Sequence, residues 1–249
     1  MFKGSKMARA SSFDWSQIDR QTLFDVIYLL RDSIVGHTIP VQKFQDQVIR
    51  HIKSYFPIKA SKVRDPAVSK SWVYIGGFYY SGDDEDRTAS IGLCLAYHPK
   101  EQNITMTSRR FSRFCIGFAD TVLHEVIHMR QFRKRKFKPL PDYASTASRT
   151  KQRNEQSYLG NNDEIDAYAF NIACELGDKF NGNTRKIVNY LNENQKGLRR
   201  VHNSYRMYLK AFGHDHNHPV IQHVKKRVVY YLPKAKLGRP FRKSEWIIR

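Results

Sequence analysis

Cysteine is scarce in this chain, and its placement excludes two common kinds of site. Three cysteines, Cys94, Cys115 and Cys174, stand far apart among 249 residues. Their number is odd, and their spacing matches neither a disulfide framework nor a cysteine-ligated metal site. Such residues are usually small buried thiols in a reducing compartment, which predicts a cytoplasmic protein, in the host cytoplasm if the protein is viral.

Long apolar runs are also lacking, which argues against a membrane partner. No stretch approaches the ~20 apolar residues that a membrane-spanning helix needs, and residues 1–12 contain no apolar core of the kind found in signal peptides. We interpret residues 1–12 as a flexible basic tail, residues 13–232 as a single folded domain and residues 233–249 as a basic C-terminal tail. A hydrophobic content of 41% excludes general disorder.

Acidic residues are few relative to basic ones, and the imbalance is local. The chain has 43 Lys and Arg against 23 Asp and Glu, for a net charge of +20. Residues 130–153 hold nine basic residues and one acid, and residues 196–249 hold fourteen and two, so these segments contain the whole excess. Concentrated positive charge indicates a nucleic acid or other polyanion as partner, although basic tails can also serve only solubility.

The most informative segment is His124-Glu125-Val126-Ile127-His128. Histidines at positions i and i+4 lie on one face of a helix, so both imidazoles can reach one metal ion. Zinc favours such nitrogen ligands, and the adjacent Glu125 can hold and deprotonate a metal-bound water. The simpler alternative is a helix with two surface histidines.

The surrounding residues favour a helix that presents both histidines to an inner cleft. Residues 121–132 contain neither Pro nor Gly, and Asp120 is a plausible N-terminal helix signal. Apolar residues flank the proposed ligand face, which predicts a mostly buried helix.

A catalytic zinc site needs a third protein ligand, and residues 158–176 are the best source. Asn161 or Asn162 can cap a helix that begins near Asp163, and an apolar stripe from Ile165 to Leu176 follows at helical spacing. Glu164 lies beside this stripe near the helix start, while Asp163 and Asp166 are alternative ligands. A solvated acidic helix start would look the same.

These two motifs resemble those of the zincin metallopeptidases, specifically the gluzincin arrangement of two His and one Glu. The segment from Tyr158 to Ala169, with Glu164-Ile165-x-Ala167-x-Ala169, looks like a segment of phage-encoded proteins classed as metallopeptidases. The resemblance covers about residues 70–180. It implies that His124, His128 and Glu164 bind Zn²⁺ and that Glu125 is the catalytic residue.

One position departs from the gluzincin pattern. Many members carry an Asp four residues after the ligand Glu, where it holds a zinc-bound histidine, and this chain has Tyr168 there. Asp120, one helical turn before His124, could serve a related purpose. Residue type alone makes four side chains candidates for stabilising an oxyanion, although each is more typical of packing or surface: Tyr158, Tyr168, His202 and Tyr205.

Periodicity predicts helices and strands in an order that suits an α+β fold. Helices are expected over 19–34, 41–56, 184–194 and 197–212, with a further amphipathic stretch over 219–232. Strands are expected over 71–80, 90–97 and 103–107, with a turn at 81–86 and a hairpin connection at 98–103. We therefore predict a zincin-like core, a small sheet plus the active-site helix, with helical N- and C-terminal flanks.

The segment His214-Asp215-His216-Asn217-His218 is a second cluster that could bind a metal. Because it lies between Gly213 and Pro219, a solvated turn is the better interpretation.

Two functions follow from these patterns. The first is a zinc-dependent metallopeptidase that hydrolyses peptide bonds by Glu-assisted attack of zinc-bound water, on a protein or peptide substrate that could be associated with nucleic acid. The alternative is a non-catalytic, basic nucleic-acid-binding or virion-associated protein whose zinc site is structural or vestigial.

Overall fold

The computed structural model describes residues 13–80, 91–138, 140, 150–193 and 203–235. The chain has an α+β fold and divides into two compact units, of which one ends at Arg133 and the other runs from Lys134 to Gly238. None of the described helices is long and apolar enough to cross a membrane.

The first unit contains the sheets and the HExxH helix. After a short 3-10 helix at Trp15–Gln17, its elements in chain order are α1 (Arg20–Tyr28), α2 (Arg31–Ile34), β1 (Thr38–Pro40), α3 (Val41–Tyr55), β2 (Ile58–Arg64), β3 (Val73–Tyr79), β4 (Ile91–Tyr97), β5 (Asn103–Thr105) and α4 (Ser108–Lys134).

The larger sheet has the strand order β2-β4-β3. Strand β4 runs parallel to β2 and antiparallel to β3, so it is the central strand. Its sequence, Ile-Gly-Leu-Cys-Leu-Ala-Tyr, is nearly all apolar, as expected for a strand covered on both faces. Of the described strands, β3 forms one edge of this sheet, and β1 and β5 pair separately as an antiparallel ribbon.

Helix α4 is 27 residues long and carries the HExxH motif in its second half. Its first turn is capped by Thr107, whose side-chain oxygen accepts a hydrogen bond from the Arg110 amide at 3.3 Å. Its buried face is rich in aromatic side chains, and the Phe114 ring meets Phe44 of α3 edge-on at 5.1 Å. The motif therefore sits on a long helix anchored in a core.

The expected helix start at Asp120 was wrong. The helix begins at Ser108, so Asp120 lies well inside it. Thr107 supplies the cap, and the Asp120 carboxylate accepts two hydrogen bonds from Arg20 instead. An acid in mid-helix can look like an N-cap in sequence, because both kinds of position are occupied by Asp.

The second unit is helical. Its elements are α5 (Lys151–Gly160), α6 (Asn162–Lys179), α7 (Thr184–Asn192), α8 (Asn203–Ala211) and α9 (Pro219–Tyr231). Helix α6 is central, because α5, α7, α8 and α9 all pack against it. The apolar stripe from Ile165 to Leu176 is buried as predicted.

Several other expected elements differ from those observed. The helix over 19–34 is interrupted at Leu29 and Leu30, which separate α1 from α2. Residues 98–103 form a turn, but they do not close a hairpin, because β4 pairs with β2 and β3 while β5 pairs with β1. Strand β2 and helix α5 were not expected. The predicted turn at 81–86 lies outside the described residues.

Candidate metal centre

His124 and His128 lie side by side on α4 with their rings directed to one point. Their Nε2 atoms are 3.1 Å apart, and the ring planes are inclined at 76°. His124 is buried, with 7% of its surface exposed, and His128 is half-buried. The helical spacing of four residues thus produces the convergence that the sequence predicted.

This separation suits two ligands of one zinc ion. Tetrahedral zinc with Zn–N distances of about 2.0–2.1 Å holds two nitrogens about 3.3 Å apart, close to the 3.1 Å observed. At this distance one ring can donate a hydrogen bond to the other, with the direction set by the tautomers. Metal binding requires both Nε2 atoms to present lone pairs instead.

Gln131 orients the second histidine. Its Oε1 atom lies 3.1 Å from Nδ1 of His128, so a proton on Nδ1 donates to the amide oxygen and leaves the Nε2 lone pair for a metal. Sequence reasoning missed this residue. The available signal was its position, three residues after His128 on the same helical face.

Asp120 belongs to a buried ion pair. Arg20 of α1 donates from Nε to Oδ1 at 2.6 Å and from Nη2 to Oδ2 at 3.0 Å. The Arg20 side chain is 1% exposed and that of Asp120 is 14% exposed. A bidentate pair shielded in this way fixes α1 against α4 one turn before His124. The predicted role of Asp120 in holding His124 stays a prediction.

Glu125 is buried where strand β3 meets α4. Its side chain is 6% exposed. Gly77 of β3 faces Glu125 and Thr121 so closely that a methyl group on Gly77 would lie 2.6 Å from Glu125 Oε1 and 2.7 Å from Thr121 Cγ2. The edge strand therefore runs directly beside the proposed general base.

Glu164 occupies the first turn of α6 in the second unit. Asn161 caps this helix by accepting a hydrogen bond from the Asp163 amide at 2.9 Å, as predicted. Asp163 pairs with Arg135 through bonds of 2.8 and 2.5 Å, and Asp166 pairs with Arg227. The two alternative ligands are thus both engaged by arginines, which favours Glu164 as the metal ligand.

Tyrosines lie around the Glu164 carboxylate. Burial, followed by the charge of Glu164 and the neighbouring Tyr168, raises the pKa of Tyr158. Burial and the same two neighbours raise the pKa of Tyr208, whose hydroxyl finds no hydrogen-bond partner among the described residues. The rings of Tyr158 and Tyr208 lie 6.4 and 5.9 Å from that of Tyr168. The hydroxyls of Tyr158 and Tyr208 therefore stay protonated at neutral pH and act as neutral hydrogen-bonding groups.

Two further residues were candidates for stabilising an oxyanion, Tyr205 and His202. Tyr205 is buried and donates its hydroxyl to the Leu191 carbonyl at 3.0 Å, so it is a packing residue. His202 lies outside the described residues.

The His214-to-His218 segment is a turn, as predicted. Residues 214–218 precede α9, and His218 caps that helix by accepting a hydrogen bond from the Val220 amide at 3.2 Å. Within the described ranges this segment forms no metal-ligand group.

Neither a family model, nor a curated protein, nor a solved structure matches this chain.

Proposed function

We propose that this protein is a zinc-dependent metallopeptidase with a zincin-like core. The observation that carries the proposal is the convergence of His124 and His128, with Nε2 atoms 3.1 Å apart, next to the buried Glu125. The two imidazoles, one buried and one half-buried, are ligands that zinc favours, and Glu125 on the same helix supplies a general base.

Glu164 is proposed as the third ligand. Glu164, in the first turn of α6, offers a carboxylate oxygen as the ligand atom that would complete a donor set of two His and one Glu. Two His and one Glu leave a fourth tetrahedral position for a catalytic water. The arginine pairs of Asp163 and Asp166 support this assignment over its alternatives.

Zinc, when bound, lowers the pKa of water toward about 7 and polarises a carbonyl. Glu125 then takes the proton of the attacking water and passes it to the departing amine. Its burial keeps competing bulk water away from the carboxylate. One face of β3 lies beside Glu125, and β3 is an edge strand among the described strands. An extended peptide paired with its outer edge would bring a scissile bond toward the base.

The proposal is tested by measuring the metal content of the protein and of variants in which a proposed ligand or the proposed base is replaced. We expect about one zinc per chain by elemental analysis, lost in His128→Ala and Glu164→Ala. Glu125→Gln should keep zinc and lose peptidase activity by about 100-fold or more. A folded protein that takes up no zinc, or an active Glu125→Gln variant, would overturn the proposal.

A second proposed property is nucleic-acid binding through the basic segments 130–153 and 196–249. The observation that favours it is Tyr230 on α9, which is half-exposed and lies between two cations. The Arg227 guanidinium and the Lys234 ammonium are 4.4 and 4.3 Å from its ring centroid. An exposed ring between positive charges suits base stacking with phosphate contacts.

Fluorescence anisotropy with a labelled oligo(dT) tests this property at increasing salt. We expect affinity to fall steeply with salt, and the pair Tyr230→Ala and Lys234→Ala to weaken it. Tyr74→Ala, at an exposed tyrosine of the first unit, is the control. Salt-independent binding, no binding, or an equal loss of affinity in the control would reject the proposed nucleic-acid binding. Binding without zinc or peptidase activity would favour the non-catalytic alternative.

A further inference from the structure

Strand β3 contains two consecutive glycines that face opposite sides of the sheet. A methyl carbon on Gly77 would lie 2.6 Å from Glu125 Oε1, 2.8 Å from Glu125 Cγ and 2.7 Å from Thr121 Cγ2. A methyl carbon on Gly76 would instead lie 2.7 Å from Cys94 Sγ. Non-bonded carbon atoms normally keep about 3.5–4.0 Å apart. Both positions therefore exclude a side chain, but only Gly77 does so because of the proposed base.

We infer that Gly77 is a positioning residue for Glu125. Because Gly77 has no side chain, it leaves the space in which the Glu125 carboxylate lies. The inference rests on the proposed function, because it concerns the geometry of the proposed general base. It goes further by assigning a catalytic contribution to a backbone position on another element.

The strand cannot easily retreat from an added side chain. Gly77 is paired with Leu93 of β4 in a seven-residue antiparallel register, and Leu93 is fully buried. Moving β3 outward would break these ladder bonds or open space over a buried leucine. Both changes cost more than the rotation of one side chain.

The helix cannot retreat either. Val122 and Val126 of α4, which flank Glu125, are fully buried. Thr121 is branched at Cβ, which restricts the rotamers of its side chain in a helix. Glu125 is the more flexible of the two side chains near Gly77, and both its Cγ and its Oε1 are close, so the whole Glu125 side chain is what an added methyl group displaces most.

Displacement of Glu125 affects chemistry more than folding. The three atoms nearest to a methyl group on Gly77 belong to Glu125 and Thr121 and not to either histidine, so we expect the proposed histidine ligands to stay in place. A general base misplaced by about 1 Å can lower the rate about 100-fold. A purely structural role for Gly77 predicts instead a loss of stability with unchanged chemistry.

Two alanine variants separate these roles. Gly77→Ala and Gly76→Ala add the same methyl group at neighbouring positions, each against a crowded neighbour. We expect both to bind about one metal ion. With fluorescein-labelled casein as substrate, Gly77→Ala should lose about 100-fold in kcat with KM nearly unchanged, while Gly76→Ala should keep most of its turnover and lose only stability.

The Co²⁺-substituted protein gives a readout that needs no substrate. The visible absorption spectrum reports the surroundings of the metal, and Glu125→Gln supplies the reference for an altered base. We expect the spectrum of Gly77→Ala to depart from wild type in the direction of Glu125→Gln, and that of Gly76→Ala to match wild type. If Gly77→Ala folds poorly, adding Thr121→Ser removes the other close contact and keeps the test available.

The outcomes distinguish the two proposals. Wild-type turnover and a wild-type cobalt spectrum in Gly77→Ala, beside an altered Glu125→Gln, would overturn the role of Gly77 alone. A wild-type protein that binds neither Zn²⁺ nor Co²⁺ would overturn the proposed function, and with it this inference.

Discussion

His128 depends on a hydrogen bond from its far ring nitrogen for its orientation. Gln131 accepts that bond at 3.1 Å, which selects the tautomer whose Nε2 can bind a metal. Partners of this kind affect a site without touching the metal, because they reduce the freedom of the ligand.

We expect Gln131→Ala to weaken zinc binding by about 10- to 100-fold, measured by competition with a chromogenic chelator. Gln131→Glu keeps an acceptor at the same place and should bind zinc nearly as well as wild type. Equal affinity in Gln131→Ala and wild type would show that the contact does not orient His128.

Arg20 and Asp120 form a well-shielded ion pair, with side chains that are 1% and 14% exposed. Arg20→Met would leave the Asp120 carboxylate without this partner in a buried place, and we expect the free energy of unfolding to fall by about 3–5 kcal/mol. Chemical denaturation measures it. Arg31→Met, which breaks an exposed pair with Asp32, should cost less than about 1 kcal/mol. Similar losses in both variants would contradict the argument.

At the scale of elements, α6 has the role of presenting Glu164 in its first turn. Asn161 fixes where that turn begins, because its side chain accepts the Asp163 amide. Asn183 does the same for α7 by accepting the Lys186 amide at 3.0 Å. Both helices thus begin with an asparagine cap, and only that of α6 precedes a proposed ligand.

We expect Asn161→Ala and Asn183→Ala each to cost about 1 kcal/mol of stability. Asn161→Ala should also weaken zinc binding several-fold, because a frayed first turn no longer holds Glu164. Asn183→Ala should leave zinc affinity unchanged. Thermal unfolding and chelator competition measure both quantities, and equal zinc affinities in the two variants would argue against Glu164 as a ligand.

The elements differ in how well the sequence predicts them. Helix α6 is predictable because an asparagine cap, first-turn acids and an apolar stripe all agree. Strand β2 is not, because Ile58-Lys59-Ala60-Ser61-Lys62-Val63-Arg64 is an edge strand among the described strands, with mostly exposed side chains of which three are basic. The HExxH spacing predicts two converging imidazoles, since helical geometry fixes them. Gly77 and Gln131 depend on packing and rotamers that spacing alone does not encode.

At the scale of the whole molecule, a net charge of +20 makes each further proton unfavourable to the folded state. Burial, and then the charges of Lys225 and His214, lower the pKa of His216, while Asp215 and the Leu191 carbonyl act weakly in the other direction. Since the folded state disfavours protonation of His216, its stabilising effect is complete above the unfolded pKa of about 6.5 and is lost as the pH falls below that value.

We expect Tm to be steady above about pH 6.5 and to fall on acidification, with a smaller fall at high salt. His216→Gln should flatten this dependence, whereas His37→Gln, at an exposed histidine, should not. Differential scanning calorimetry across this pH range measures it. An unchanged acid slope in His216→Gln would assign the sensitivity to other groups.

The length of α4 bears on how the proposed metal site would form. A helix of 27 residues, capped at Thr107 and anchored by buried aromatic rings, forms its hydrogen bonds without help from an ion. We therefore expect the helix that carries both imidazoles to form before the proposed metal is bound, unlike small zinc modules that are unfolded when empty. Folding and metal binding would then be separate events, and the metal taken up by the proposed site would depend on what the surroundings supply after folding.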